Sequence, residues 1–447
     1  MVCMIEMGVG GEEEAGNGSA GITRRRFEME KAVCNHGFFM MAPNKWEAST
    51  KTLHRPLRLS DSITSVTVSI QSSSPNHPNH NPDLDLLIIT VHDLDSLTSP
   101  DRQAILDQVR RMLRISEKDE REVHQFQEKH PEAKKAGFGR LFRSPSLFED
   151  AVKSILLCNS DWKRSLEMAK ALCQLQAELI RSGGPPPPHL LELEVGVDGT
   201  KINAPHSLHG RKRERKLPVY KKKKPHPIHK PINKPISKPM KKTATTSTSQ
   251  VAVVVTQPPT PNHSSSSHVN ITTGGNFPSS RGLANLDADY LKDRCKLGYR
   301  AKLIINLAKK FEEGKLPKLL ENYELGCDME SAQKKLKSIK GFGYFATHNV
   351  LMCMGFYHHV PADTETIRLL KQVHARHGCT KATVQKEAEE IYLKYAPFQC
   401  LAYWFDLLND YEAKLGKLSE LDSSGYHTVA GTISNSKGSA PALHDKI

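Results

Sequence analysis

Residues 182–275 carry no hydrophobic period, and that gap constrains the fold of this 447-residue chain more than any other feature. They hold four consecutive prolines (Pro185–Pro188), the basic clusters Arg211–Lys216 and Lys221–Lys224, a Lys-Pro rhythm from Lys230 and the run Ser264–Ser267. Such a segment has too little apolar surface to offset its ordering entropy. It reads as a long disordered basic insertion, with polyproline II its best local conformation. The patterned residues on either side must therefore complete one core across it.

Charge follows the same boundary. Between Lys201 and Lys242 stand fifteen Lys or Arg and one acid, Glu214, a surplus equal to the formal net charge of +14 for the whole chain. The remainder is balanced. The insertion has two readings: a solvated linker, or a nuclear import signal at 211–224 that also attracts phosphate in a salt-dependent way.

Nine cysteines are scattered without a C-x-x-C pair, so neither a zinc ribbon nor a redox motif is supported. Buried single thiols in a reducing compartment are expected. No run approaches eighteen apolar residues, which argues against a membrane span. Glu12–Glu14 do not suit a signal peptide. A soluble intracellular monomer is the expectation.

The fold class expected is α+β. Residues 1–25, rich in Gly, Glu and Ser, read as disordered. Residues 26–98 read as a small antiparallel β-rich domain, from the runs Gly37–Met41, Val66–Ile70 and Leu86–Val91. Residues 99–181 and 276–415 read as one split helical domain, and 416–447 as a loose polar tail. Ser99-Pro100-Asp101 looks like an N-cap with proline opening the helix. Ser146 with Glu149 has the spacing of a capping box for a helix over Leu147–Cys158. A further helix is expected from about Asp161 to the Gly183-Gly184-Pro185 break.

Two features of the second helical block carry chemistry. Ile339-Lys340-Gly341-Phe342-Gly343 separates two helix-forming runs, and Asp363, in Val360-Pro361-Ala362-Asp363-Thr364, follows twenty residues after Gly343. A two-glycine turn opening a helix can present bare N–H groups and a positive helix end to a phosphate. It is also ordinary punctuation between helices. Asp363 is well placed to cap the helix beginning at Thr364, and a carboxylate there can also steady a developing cation.

LKSIKGFGYFATHNVLMCMGFYHHVPADTETIRLL resembles the helix-hairpin-helix plus Gly/Pro/Asp (HhH-GPD) signature of the DNA glycosylase superfamily that contains endonuclease III, 8-oxoguanine glycosylase and bacterial 3-methyladenine glycosylase II. The resemblance extends to Gly139–Cys173 and Leu286–Phe311, on both sides of the insertion. The β-rich front resembles the N-terminal sheet of the 8-oxoguanine and 3-methyladenine branches. The resemblance implies a DNA-repair enzyme of base excision acting on double-stranded DNA, in which a damaged base is flipped into a pocket and its bond to deoxyribose is cleaved; the basic clusters at 211–224 add the nucleus as the expected compartment. Asp363 would be the carboxylate that stabilises the sugar cation and orients water. Ile339, Gly341 and Gly343 would hold a backbone phosphate, and the hairpin carbonyls could take a monovalent cation. Asn159 stands where relatives fill the gap left by the flipped base, although an N-cap role for it, or for Ser160 or Asp161, would look the same. Tyr299 and Arg300 match a stretch near the DNA.

Departures from the family pattern refine this. Bifunctional members carry a lysine nucleophile two residues after the second hairpin glycine, where this chain has Phe345. A phenyl ring cannot form a Schiff base, so a monofunctional hydrolytic glycosylase is implied. Phe345 either stacks on the flipped base or belongs to the core. Only Cys379 and Cys400 follow Asp363, so an iron–sulfur cluster is not expected. His358-His359 has no third ligand spaced for zinc, and no metal site is expected. Trp162 and Trp404 read as core residues. The rival to an enzyme is a catalytically inactive module of the same fold that binds damaged or distorted DNA.

Overall fold

A computed structural model of the chain describes residues 1–6, 27–73, 86–92, 94, 96–182, 275–314 and 328–430. The insertion proper, the clusters at 211–224 and residues 7–26 and 431–447 lie outside the described residues. The described residues belong to one compact unit, in which sheet and helices share a single hydrophobic core.

Five strands, β1 (Val2–Glu6), β2 (Lys45–Glu47), β3 (Thr52–Arg58), β4 (Ser65–Ser72) and β5 (Leu86–Val91), form an antiparallel sheet in the order β1-β5-β4-β3-β2. The alternation in β4 and β5 sets Ile70 opposite Ile89 and Val68 opposite Val91, all buried on one face. Two expectations are corrected here. Residues 2–6 are not disordered: β1 pairs with β5, with Ile5 opposite Leu87, and buries Cys3, Met4 and Ile5. So short a run is held by its partner strand and has no local signature. Gly37–Met40 is a 3-10 turn, not a strand, with Phe38 and Phe39 fully buried. An unbroken apolar run records burial without direction. β3 escaped notice because Arg55 occupies the inward position between Leu53 and Leu57, and Pro56 interrupts the run.

Before the undescribed segment come α1 (Met29–Val33), α2 (Ser99–Leu113), α3 (Glu117–Lys129), α4 (Pro131–Ala136), α5 (Leu147–Leu157) and α6 (Trp162–Arg181). After it come α7 (Ser280–Ala284), α8 (Ala288–Arg294), α9 (Arg300–Glu312), α10 (Met329–Lys337), α11 (Tyr344–Met354), α12 (Thr364–Gln372), α13 (Val384–Tyr392) and α14 (Gln399–Leu415). Thr98, not Ser99, caps α2, accepting from Asp101 N at 3.2 Å. Ser146 caps α5 through Glu149 N at 3.2 Å, but the reciprocal half of the expected box is spent elsewhere. The Glu149 carboxylate turns inward to Arg55 at 3.0 Å and to Lys153 at 2.8 Å. Burial opposes its charge, yet the Arg55 and Lys153 cations outweigh that and hold its pKa down at about 2. This trio fastens the sheet to α5, whose C-terminal end enters the site described next. The tail is not loose at its start either. Residues after Gly416 form two 3-10 turns, Leu418–Glu420 and Ser423–Thr428, with Leu418, Tyr426 and Val429 buried.

Candidate active site

The turn between α10 and α11 is built from glycine geometry. Gly341 has φ +100°, a backbone shape that calls for glycine, and a Cβ there would come within 2.7 Å of Leu303 Cδ1 on α9, whose side chain would have to move aside. Gly343 has an ordinary φ of −75° and nothing within 4 Å of a built Cβ. It is the N-cap of α11 and lies exposed, with the helix's first N–H groups beside it. The Ile339 side chain is 4% exposed and anchors the turn in the core, because a branched apolar group is stable only out of water.

Asp363 begins α12 with a reciprocal capping box. Thr366 N donates to Oδ1 at 2.9 Å, and Asp363 N donates to Thr366 Oγ1 at 3.1 Å. The Tyr403 hydroxyl lies 2.9 Å from Thr366 Oγ1 and supports that partner from α14. Both hydrogen bonds that the carboxylate accepts from Thr366 fall on Oδ1. Among the described residues no hydrogen bond reaches Oδ2. Burial pushes the carboxyl up to about 6 against the lowering effect of the Thr366 N–H, and the nearby Glu365 charge adds to the rise.

The turn from α5 to α6 forms the opposite rim. Asp161 caps α6 by accepting from Arg164 N at 2.8 Å, which leaves Asn159 free of that task. Asn159 is exposed in the left-handed region at φ +50°, a conformation asparagine tolerates better than other side-chain-bearing residues. Its Nδ2 lies 3.3 Å from the hydroxyl of Tyr299, which is 52% exposed. Arg300 is placed otherwise than expected. It is buried, and its guanidinium donates to the carbonyls of Cys158 and of Asn159, the latter at 2.9 Å. Through Nη2 it holds the turn from beneath, while its buried Nε makes no hydrogen bond among the described residues.

Two contiguous hollows join these parts. A groove of about 800 Å³ runs past Asn159, Tyr299, Gly341, Gly343 and Lys381. A cavity of about 310 Å³ opens from it, and Phe345 and Asp363 line both. Among the described residues no Lys or Arg lines the cavity, whereas aromatic rings do so heavily: His36, Phe38, Trp162, Tyr403, Trp404 and Tyr411. Trp162 and Trp404 are therefore cavity walls as well as packed side chains. His36 had no sequence signal. It meets Phe38 and Trp404 edge-on, with ring centroids 4.5 and 4.4 Å apart, and burial together with the Arg114 and Lys153 cations holds its pKa down at about 3. It is a neutral ring at neutral pH. His359 has Nδ1 3.3 Å from Glu389, outside this site.

No family model matches the sequence, and no curated protein matches it. The fold, however, is that of the helix-hairpin-helix DNA glycosylases. In particular it is similar to the solved structure of 3-methyladenine DNA-glycosylase from Archaeoglobus fulgidus, with a TM-score of 0.50 at 14% identity, covering 87% of this chain and 97% of that one. At that identity the likeness is one of fold. Clostridium acetobutylicum 8-oxoguanine glycosylase/lyase in complex with double-stranded DNA is a weaker match, with a TM-score of 0.45 at 12% identity over 87% of this chain and 93% of that one, and nothing rests on it. Among the described residues no helix is long and apolar enough to cross a membrane.

Proposed function

We propose that the chain is a monofunctional DNA glycosylase, which flips a damaged base from duplex DNA and removes it by hydrolysis. The observation that carries this reading is the place of Asp363, which lines both the exposed groove and the aromatic cavity. The open backbone at Gly343 suits the phosphate beside the lesion, and contacts of that kind position DNA without reading its sequence. Asn159, with Tyr299 beside it, enters the stack as the base leaves, and Arg300 keeps their turn in place. The base stacks against Phe345 and the cavity rings.

The bond from C1′ to the base nitrogen then breaks, and its electron pair departs with the base. The sugar is left with positive charge, which the Asp363 carboxylate faces in a water-poor site where such an interaction is strong. Water adds its oxygen to C1′ and passes a proton to Asp363, whose pKa near 6 suits a group that must be ionised first and accept a proton later. Phe345 offers no amine, so no covalent enzyme–sugar bond forms along this route.

Purified protein is to be incubated with duplexes carrying 8-oxoguanine, alkylated purines, uracil or mismatched thymine. Strand breaks that appear only after hot alkali are expected. Breaks without alkali, or a complex trapped by borohydride, would refute the monofunctional reading. Tight binding to distorted duplex with no base released would favour the inactive module instead. Nuclear residence through 211–224 is part of the proposal, and nuclear accumulation that persists after deleting 205–245 would remove it.

A further inference from the structure

Residues 416–430 pass back over the aromatic cavity after α14 ends. Gly416, at φ +79°, turns the chain, and Leu418 N donates to Glu412 Oε1 at 3.2 Å. Two indoles then fasten the segment by its main chain. Trp46 Nε1, on β2, donates to Ser419 O at 2.8 Å, and Trp162 Nε1, on α6, donates to Tyr426 O at 2.7 Å. The Tyr426 ring meets Phe39 edge-on with centroids 5.6 Å apart. Leu418, Val429 and Ala430 reach the cavity wall, and Leu418 and Val429 are 3% and 2% exposed. Every side chain that this strap gives the cavity is aliphatic. It offers no donor or acceptor from a side chain, and such a wall responds to the bulk of an occupant rather than to its hydrogen-bonding edge.

We propose that the 416–430 strap is the size gate of the base pocket, with Val429 and Leu418 setting which bases fit. The inference rests on the glycosylase reading of that cavity. A cavity of about 310 Å³ is near the lower end for a small-molecule site, so a few added or removed carbons change what it admits. Both hydrogen bonds use main-chain carbonyls, so Trp46 and Trp162 hold the strap whatever the side chain at 419, and the buried Tyr426 ring adds its packing against Phe39.

The test compares full-length wild type with V429A, V429F and W46F. Two readouts are used: excision from duplexes carrying uracil or 1,N6-ethenoadenine, and quenching of tryptophan fluorescence by free adenine and free 1,N6-ethenoadenine. V429F is expected to lower excision and free-base binding on the order of 100-fold while duplex affinity stays unchanged. V429A is expected to raise the ratio of large to small base, in both readouts, by about tenfold. W46F loses one strap fastening while keeping an aromatic ring outside the cavity, and its ratio is expected to move in the same direction. Unchanged ratios in V429A and W46F, at wild-type melting temperature, overturn the proposal even if V429F fails to fold. Wild type that binds free base but excises none sinks the glycosylase reading and leaves the gate standing. Wild type that does neither removes the gate together with its pocket.

Discussion

Replacing Asp363 by asparagine should make the protein more stable at neutral pH while abolishing base release. The carboxyl's pKa rises from 3.8 to about 6 on folding. At 1.36 kcal/mol per unit, that shift of about two units amounts to about 3 kcal/mol. The sign follows from proton binding: the folded state holds this proton more tightly than the unfolded state between about pH 4 and pH 6. Stability is therefore lost as pH rises through that window, and the full penalty is present above pH 6. Asparagine caps a helix about as well as aspartate, so Asp363→Asn keeps the Thr366 hydrogen bond and drops the cost of a buried charge. At roughly 2 °C per kcal/mol for a fold of this size, melting should rise by about 5 °C at pH 7.5. The gain should be mostly lost at pH 4 and vanish by about pH 3, where Asp363 is protonated in both states. Scanning calorimetry of both proteins across that range measures it directly. Single-turnover excision by wild type should fall as pH drops through about 6, because only the ionised carboxylate faces the sugar cation. An Asp363→Asn protein that melts at or below wild type at pH 7.5 would refute the burial reasoning. A rate that titrates near 4 would separate Asp363 from the chemistry.

The two hairpin glycines should behave differently. Gly341→Ala places a Cβ against Leu303 at 2.7 Å in a left-handed backbone and should lose about 1–3 kcal/mol of stability by chemical denaturation. Gly343→Ala should melt like wild type, since nothing lies within 4 Å, yet bind duplex DNA more weakly because the added methyl keeps a phosphate from the backbone; wild-type affinity would mean that no phosphate approaches there. Asn159→Gly relieves a left-handed side-chain-bearing residue and should leave stability equal or up to about 1 kcal/mol higher, while base flipping, followed by 2-aminopurine fluorescence beside the lesion, declines. Normal flipping would show that the Asn159 side chain does not fill the stack.

The parts of this protein that are legible from sequence are those whose cause lies within a few residues. The glycine turn at 341–343 needs only its own backbone, Asp363 needs only the N–H three residues on, and β4 and β5 announce themselves by alternation. The absence of an amine at Phe345 is likewise a one-residue fact. Misreadings fell where a residue's environment comes from far along the chain. β1 is a strand because β5 is beside it, and Arg55 can face the core of β3 because Glu149 waits there from α5. Glu149 left its capping box for the same reason.

Sequence by itself determined the two-glycine turn between helices, the acid twenty residues behind it and a phenylalanine in place of any amine at 345, because each is written in contiguous side chains and backbone torsions. Only the tertiary structure decided the pocket. His36, Trp162, Phe345, Trp404 and Val429 come from five separate stretches of chain and share no period, and they meet because packing of the common core brings them together. The same packing raises the Asp363 pKa, since desolvation belongs to a site and not to a residue.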